Sequence, residues 1–181
     1  MACDLAAGRA FPCKDAIGGI KDIVWCVLDD AKWGAISAGA VADTTAAMTM
    51  FRFELTKNSG SFQQEISSSI ENGTVYFTQT LTMQVPVMTA AVSAEFHSVM
   101  KSRAAIVVRD NNDNFHIMGY SCGAEISGGN FGTGTAKGDL SGYNLVWTAE
   151  EKVPAPFFID MTDSAARGAL AGAITLTPDY Y

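Results

Sequence analysis

The sequence predicts a mainly β fold, a sandwich or barrel with one long β-hairpin and one flanking α-helix. Three observations carry that expectation. Residues 61–85, SFQQEISSSIENGTVYFTQTLTMQV, alternate in polarity on both sides of an Asn72-Gly73 pair. Runs at 20–28, 48–56, 104–109 and 143–149 are rich in β-branched, aromatic and methionine side chains. Only one stretch, near 88–102, has helical spacing.

The hairpin is the most specific of these. Asn-Gly between two strand-like runs favours a two-residue type I′ turn, because both residues tolerate positive φ. That turn would pair Glu71 with Thr74, Ile70 with Val75, Ser69 with Tyr76, and so on out to Phe62 with Met83. One face then collects Phe62, Gln64, Ile66, Ser68 and Ile70 with Met83, Leu81, Gln79, Phe77 and Val75. The other collects Gln63, Glu65, Ser67, Ser69 and Glu71 with Thr82, Thr80, Thr78, Tyr76 and Thr74, and carries no Lys or Arg. A slip of one residue would scramble this sorting, which supports the assignment. Each arm has about ten to twelve residues, roughly 35 Å at the usual rise, and is expected to outrun its own domain.

The other elements follow in chain order. Residues 1–17 are expected to be irregular. Gly18-Gly19 leads into a buried strand, IKDIVWCVL, ended by Asp29-Asp30. Residues 31–47 lack a period and are expected to form a long loop, a candidate contact between subunits. A strand at 48–56 turns at Lys57-Asn58-Ser59-Gly60 into the hairpin. After Pro86, Thr89 caps a helix over 88–102 whose stripe is Val92, Phe96, Val99 and Arg103. AAIVVR and FHIMGYSCGAEI form a second hairpin around Asp110-Asn111-Asn112-Asp113-Asn114. Residues 127–142 are glycine-rich and expected as a connector. Tyr143, Leu145, Trp147 and Ala149 alternate as a strand, and Pro154 and Pro156 bar VPAPFF from a central strand. Residues 1–159 are read as one β domain and 160–181 as a C-terminal extension, with a short strand at 173–177.

Composition narrows the function classes. The chain has 181 residues, a formal net charge of -7, 17% charged and 48% apolar residues. Net acidity disfavours non-specific binding to nucleic acid or anionic membranes. So little charge suggests that much surface meets other subunits. No secretory leader and no apolar run of membrane-span length is visible, so a cytoplasmic site of synthesis and assembly is expected. Cys3, Cys13, Cys26 and Cys122 have no CxxC spacing; thiols are expected, with a Cys3-Cys13 disulfide or a metal site as alternatives. His97 and His116 lie in no catalytic motif.

The acidic loop at 110–114 lacks the EF-hand pattern and its terminal Glu. The glycine-rich stretch lacks Walker A, since no Gly precedes Lys137 and no Ser or Thr follows it, and its GxGxxG spacing breaks at Lys137. No catalytic, cofactor or metal residues are expected, and no enzyme.

The GGI strand start after CKD, the hairpin around ENGTVYFTQTLT, the single helix, AAIVVRDNNDNFHIMGY and GTGTAKGDLSGYNLVWTAEEKVPAPF together resemble the major tail tube proteins of long-tailed bacteriophages, particularly contractile-tailed ones. The resemblance covers residues 1–158. It implies a tail-tube-like β-sandwich or barrel that assembles as hexameric rings stacked into a hollow tube in the virion tail, through which the genome leaves. The implied partner is the chain itself, with sheath, tape-measure and baseplate proteins beside it, and DNA passes without specific binding. On that reading Gln63, Glu65, Ser67, Ser69, Thr78, Thr80 and Thr82 line the lumen, with Asn72 and Gly73 at the turn. The alternatives are a tube subunit of a secretion or injection machine, a tail terminator or baseplate ring, and a carbohydrate- or host-binding sandwich using Trp25, Trp33, Tyr120 and Trp147.

Overall fold

Strands β1 (Ile20–Val27) and β7 (Ala104–Asp110) form the centre of the subunit because residues 23–27 and 104–108 carry apolar side chains on both faces. The computed structural model describes residues 16–170 and 172–178. The first fifteen residues, with Cys3 and Cys13, lie outside them. Between these strands run β2 (Ile36–Ser37), β3 (Ala40–Val41), β4 (Met48–Glu54), β5 (Gly60–Ser69), β6 (Thr74–Pro86) and helix α1 (Ala90–Val99). After β7 come β8 (Phe115–Met118), β9 (Glu125–Gly132), β10 (Gly142–Glu151), β11 (Phe157–Phe158), helix α2 (Ser164–Ala169) and β12 (Ile174–Thr177).

These strands make two sheets. One has eight strands in the order β12-β4-β1-β7-β8-β11-β3-β2; the other has four, β5-β6-β10-β9. The mainly β expectation holds. Side chains on β1 alternate between two cores, as period two requires. Ile23 and Trp25 join Ile106, Val108, Leu81, Met83, Leu145 and Trp147 between the sheets. Val24 and Cys26 join Met50, Val107, Ile117 and Phe158 on the far side of the larger sheet.

Helix α1 closes one end of the first core. Thr89 Oγ1 accepts the Val92 N–H at 3.2 Å, as expected of its cap, and Phe96 and Val99 are buried. Phe96 lies 4.9 Å from the Tyr143 ring and 5.9 Å from Phe53. The helix is shorter than expected and ends before Arg103, which opens β7's approach instead. A second, six-residue helix, α2, was not expected; Asp163 caps it by accepting from Ala165 and Ala166.

The segment after residue 159 packs into the subunit. Strand β12 pairs in parallel with β4, Met161 is fully buried, and Ile174 and Leu176 complete the second core. Thr44 and Gly172 exchange hydrogen bonds between the 31–47 segment and this one.

Three local expectations need correction. Residues 31–47 are not a featureless loop: β2 and β3 pair through a two-residue turn in which Ala38 and Gly39 both take positive φ, 50° and 82°. The strand expected to return from Phe115 to Ile126 breaks at Gly119, so β8 stays in the large sheet while β9 joins the small one. The glycine-rich stretch is a strand over Glu125–Gly132, held by the β10 ladder, and only 133–141 is connector.

Candidate functional site: the outer face of the four-stranded sheet

The hairpin forms, with one change of register. Glu65 pairs with Thr78, Gln63 with Thr80 and Phe62 with Leu81, two residues away from the expected pairing. The cause is the turn. Asn72 does not enter the left-handed region; Gly73 alone does, with φ 61°, and its N–H donates to Ile70 O at 3.4 Å. Residues 70–73 therefore make a four-residue loop in place of a two-residue one. Because the shift is even, every side chain keeps its face.

Gln63, Glu65, Ser67, Ser69, Thr78, Thr80 and Thr82 thus share the face of the small sheet that points away from the core. Leu81 and Met83, between them in sequence, are buried on the other face. Pairing extends the outer face across the sheet in rows: Glu65, Thr78 and Glu150; then Gln63, Thr80, Thr148 and Glu125; then Ser61, Thr82, Val146 and Gly128; then Gln84, Asn144 and Asn130. Thr148 Oγ1 donates to Ser127 Oγ at 2.8 Å, at the bulge between Val146 and Trp147.

The β9 and β10 members were missed from the sequence. Asn144 and Thr148 gave a signal in their alternation, but nothing local shows that β10 lies beside β6. No signal in glycine-rich β9 marks a strand.

No Lys or Arg occurs in any of the four strands. Glu65 and Glu150 flank Thr78, about 10 Å apart at ordinary strand spacing. At the sheet's end a cation approaches: Arg103 Nε donates to Glu125 Oε1 at 2.8 Å. The neighbouring Glu151 turns inward and serves the fold, accepting from Ser121 N at 2.8 Å and Cys122 N at 2.7 Å. Beside it, buried Gln79 accepts from Gly119 N at 3.1 Å. Together they clamp the crossover from β8 to β9.

Beyond the body no other described strand accompanies the hairpin. Strand β10 accompanies β6 only as far as Phe77 opposite Glu151. In that row Ile66 is 69% exposed, and past it Val75 and Ile70 are 54% and 96% exposed. The two outer strands, β5 and β9, pair with no other described strand on their far sides.

The remaining candidates scatter. Trp25 and Trp147 are buried between the sheets. Trp33 packs edge-on against Phe158 at 5.3 Å, and Tyr120 Oη donates to Gly34 O at 2.8 Å. His97 is exposed on α1, whereas His116 lies between Phe157 and Phe62, with its Nε2 3.8 Å from Asp110 Oδ2. The 110–114 loop is held by its own side chains, since Asp110 Oδ1 accepts from Asn112 N and Asn114 N at 2.8 Å each. Cys26 is buried and Cys122 is exposed. No group of three or more His, Cys, Asp or Glu among the described residues is placed to hold a metal ion, and no described helix is long and apolar enough to cross a membrane. Compared with protein-family models, curated proteins and solved structures, the chain finds no match in any of the three.

Proposed function

We propose that this protein is a structural subunit that self-assembles into stacked rings, hexameric by the resemblance, and forms the tail tube of a long-tailed bacteriophage. The observation that carries the reading is the base-free outer face of the four-stranded sheet, bounded by two unpaired edges. Long unpaired edges are a liability that ring closure removes. The sheet has four strands, each antiparallel to the next, so β5 and β9 run in opposite directions. Rotation about a ring axis preserves strand direction, so β9 of one copy meets β5 of the next antiparallel. A contact of this kind closes into a ring, and ring-on-ring contacts that do not close build a tube.

The chemistry of the face suits a conduit. Lys and Arg on a channel wall would neutralise phosphates and hold DNA in place. Hydroxyls and amides keep the wall wet, and Glu65 and Glu150 repel the phosphate backbone. Gln63, Glu65, Ser67, Ser69, Thr78, Thr80 and Thr82 are the proposed lumen residues, joined by Thr148, Asn144 and Asn130. The same geometry would serve the tube of a secretion or injection machine. Negative-stain microscopy of the purified protein at high concentration is the direct test. Rings or tubes are expected; monomers alone would overturn the reading.

A further inference from the structure

We propose that Asn72 is a site of spontaneous deamidation in the folded subunit, a built-in chemical change at the tip of the hairpin. Asparagine is among the chemically labile residues. Its breakdown begins when the next residue's backbone nitrogen attacks the side-chain amide carbon. Of the seven asparagines, only Asn72 precedes a glycine. Asn58 precedes Ser, Asn111 precedes Asn, Asn112 precedes Asp, Asn114 and Asn130 precede Phe, and Asn144 precedes Leu.

The fold leaves the attack open. Asn72 and Gly73 are exposed on the overhang, away from the body. A Cβ built on Gly73 would meet nothing within 4 Å outside its two chain neighbours, so the turn leaves open space beside the residue that must move to attack. That nitrogen's hydrogen bond, to Ile70 O at 3.4 Å, is at the weak end of the range. Among the described residues the Asn72 amide is held by Ser69 Oγ alone, 3.2 Å from its Nδ2. By contrast Asn112 and Asn114 are fixed by several bonds to Ile17 and Asp110.

In the reaction Gly73 N forms a bond to Asn72 Cγ, the Cγ–Nδ2 bond breaks, and ammonia leaves with the proton from Gly73 N. Water then opens the cyclic imide. Cleavage on the side-chain side gives Asp, and cleavage on the main-chain side gives isoaspartate, with one extra backbone carbon. Either product puts a carboxylate beside Glu71, and isoaspartate also lengthens the loop that sets the pairing of β5 with β6.

The test incubates the folded subunit, warm and at mildly alkaline pH, and follows each asparagine by peptide mass spectrometry with an isoaspartate-specific readout. Conversion at Asn72 several-fold faster than at the other six, and slowed several-fold by Gly73→Ala, is expected. Gly73→Ala is checked for folding by circular dichroism, and Asn72→Ser supplies a second variant in which the signal disappears. Equal rates at all seven sites overturn the proposal. So does an Asn72 that stays intact in the folded chain while converting in urea, since the turn would then protect it. The readout is taken on the free subunit and stands whether or not tubes form.

Discussion

Gln64 accepts the Ala155 N–H at 2.7 Å, and beyond this bond no described hydrogen bond ties β5 to anything but its own hairpin. Inward of it the sheet face is core; outward of it, on the same face, Ile66, Val75 and Ile70 are exposed and Phe77 is half-buried. The position of one bond therefore divides residues that fold the subunit from residues that fold nothing.

This division predicts opposite phenotypes along one face. Ile66→Ser and Val75→Ser remove apolar surface that is already in water, so monomer stability should move by no more than about 0.5 kcal/mol. Leu81→Ala empties a fully buried position and should cost about 2–5 kcal/mol. If the overhang is covered by a neighbouring copy, the two serine variants should lose assembly while the subunit still melts normally. Thermal unfolding and sedimentation, measured together, separate the outcomes. Assembly that persists in both serine variants would mean the tip meets nothing.

The outer face makes a different prediction, about charge. Lys substituted for Glu65, Ser67 or Thr80 adds a cation where the four strands have none. Folding should be nearly untouched, because these side chains are exposed or half-buried. In a ring the change is multiplied by the number of copies, so DNA should be gripped in a salt-dependent way. Slower genome release or lost infectivity is the expected result. Unchanged infectivity with basic residues at all three positions would remove the lumen assignment and leave the hairpin standing.

The faces of the hairpin were legible because period-two sorting survives an even error. The sequence favoured a two-residue turn at Asn72-Gly73, and the pairing is displaced by two, yet Glu65 and Thr78 still share a face. The left-handed pair that a type I′ turn needs occurs instead at Ala38-Gly39, where no local pattern singled it out. The buried strands β1 and β7 were legible as continuous apolar runs. Strand β9 was not, because its Gly128, Gly129 and Gly132 have little strand preference of their own and take it from β10. The place of residues 160–178 was also hidden, since Met161, Ile174 and Leu176 fill a core that exists only once the larger sheet has formed.

Acid should act through the 110–114 loop. Partial burial raises the Asp110 carboxyl, but hydrogen bonds from the Asn114 side chain and backbone and from Asn112 outweigh it, leaving the group below its ordinary value. Asp113 is also lowered, first by Lys21 and then by Arg109, and His116 faces Asp110 from β8. A depressed carboxylate contributes stability above its unfolded value of about 3.9, and loses it as pH falls through the lower folded value. Asp110→Asn should therefore destabilise the subunit at neutral pH, and the deficit should shrink as pH falls below about 4. Thermal unfolding against pH checks this. A deficit unchanged at the acid end would mean that the loop's geometry, and not the carboxylate's charge, is what matters.

The last prediction concerns the edges and requires no mutation. Among the described strands of the lone subunit, β6 and β10 have partners on both sides, whereas β5 and β9 have a partner on one. Amides of β6 and β10 should therefore exchange slowly in both monomer and assembly. On each outer strand about half the amides point away from the sheet and should exchange quickly in the monomer. If β9 of one copy pairs antiparallel with β5 of the next, those outward amides must become protected on both strands at once. Hydrogen exchange on the two states reads this directly. Protection on β5 alone would indicate contact with some surface other than β9, and protection on neither would show that the sheets do not join.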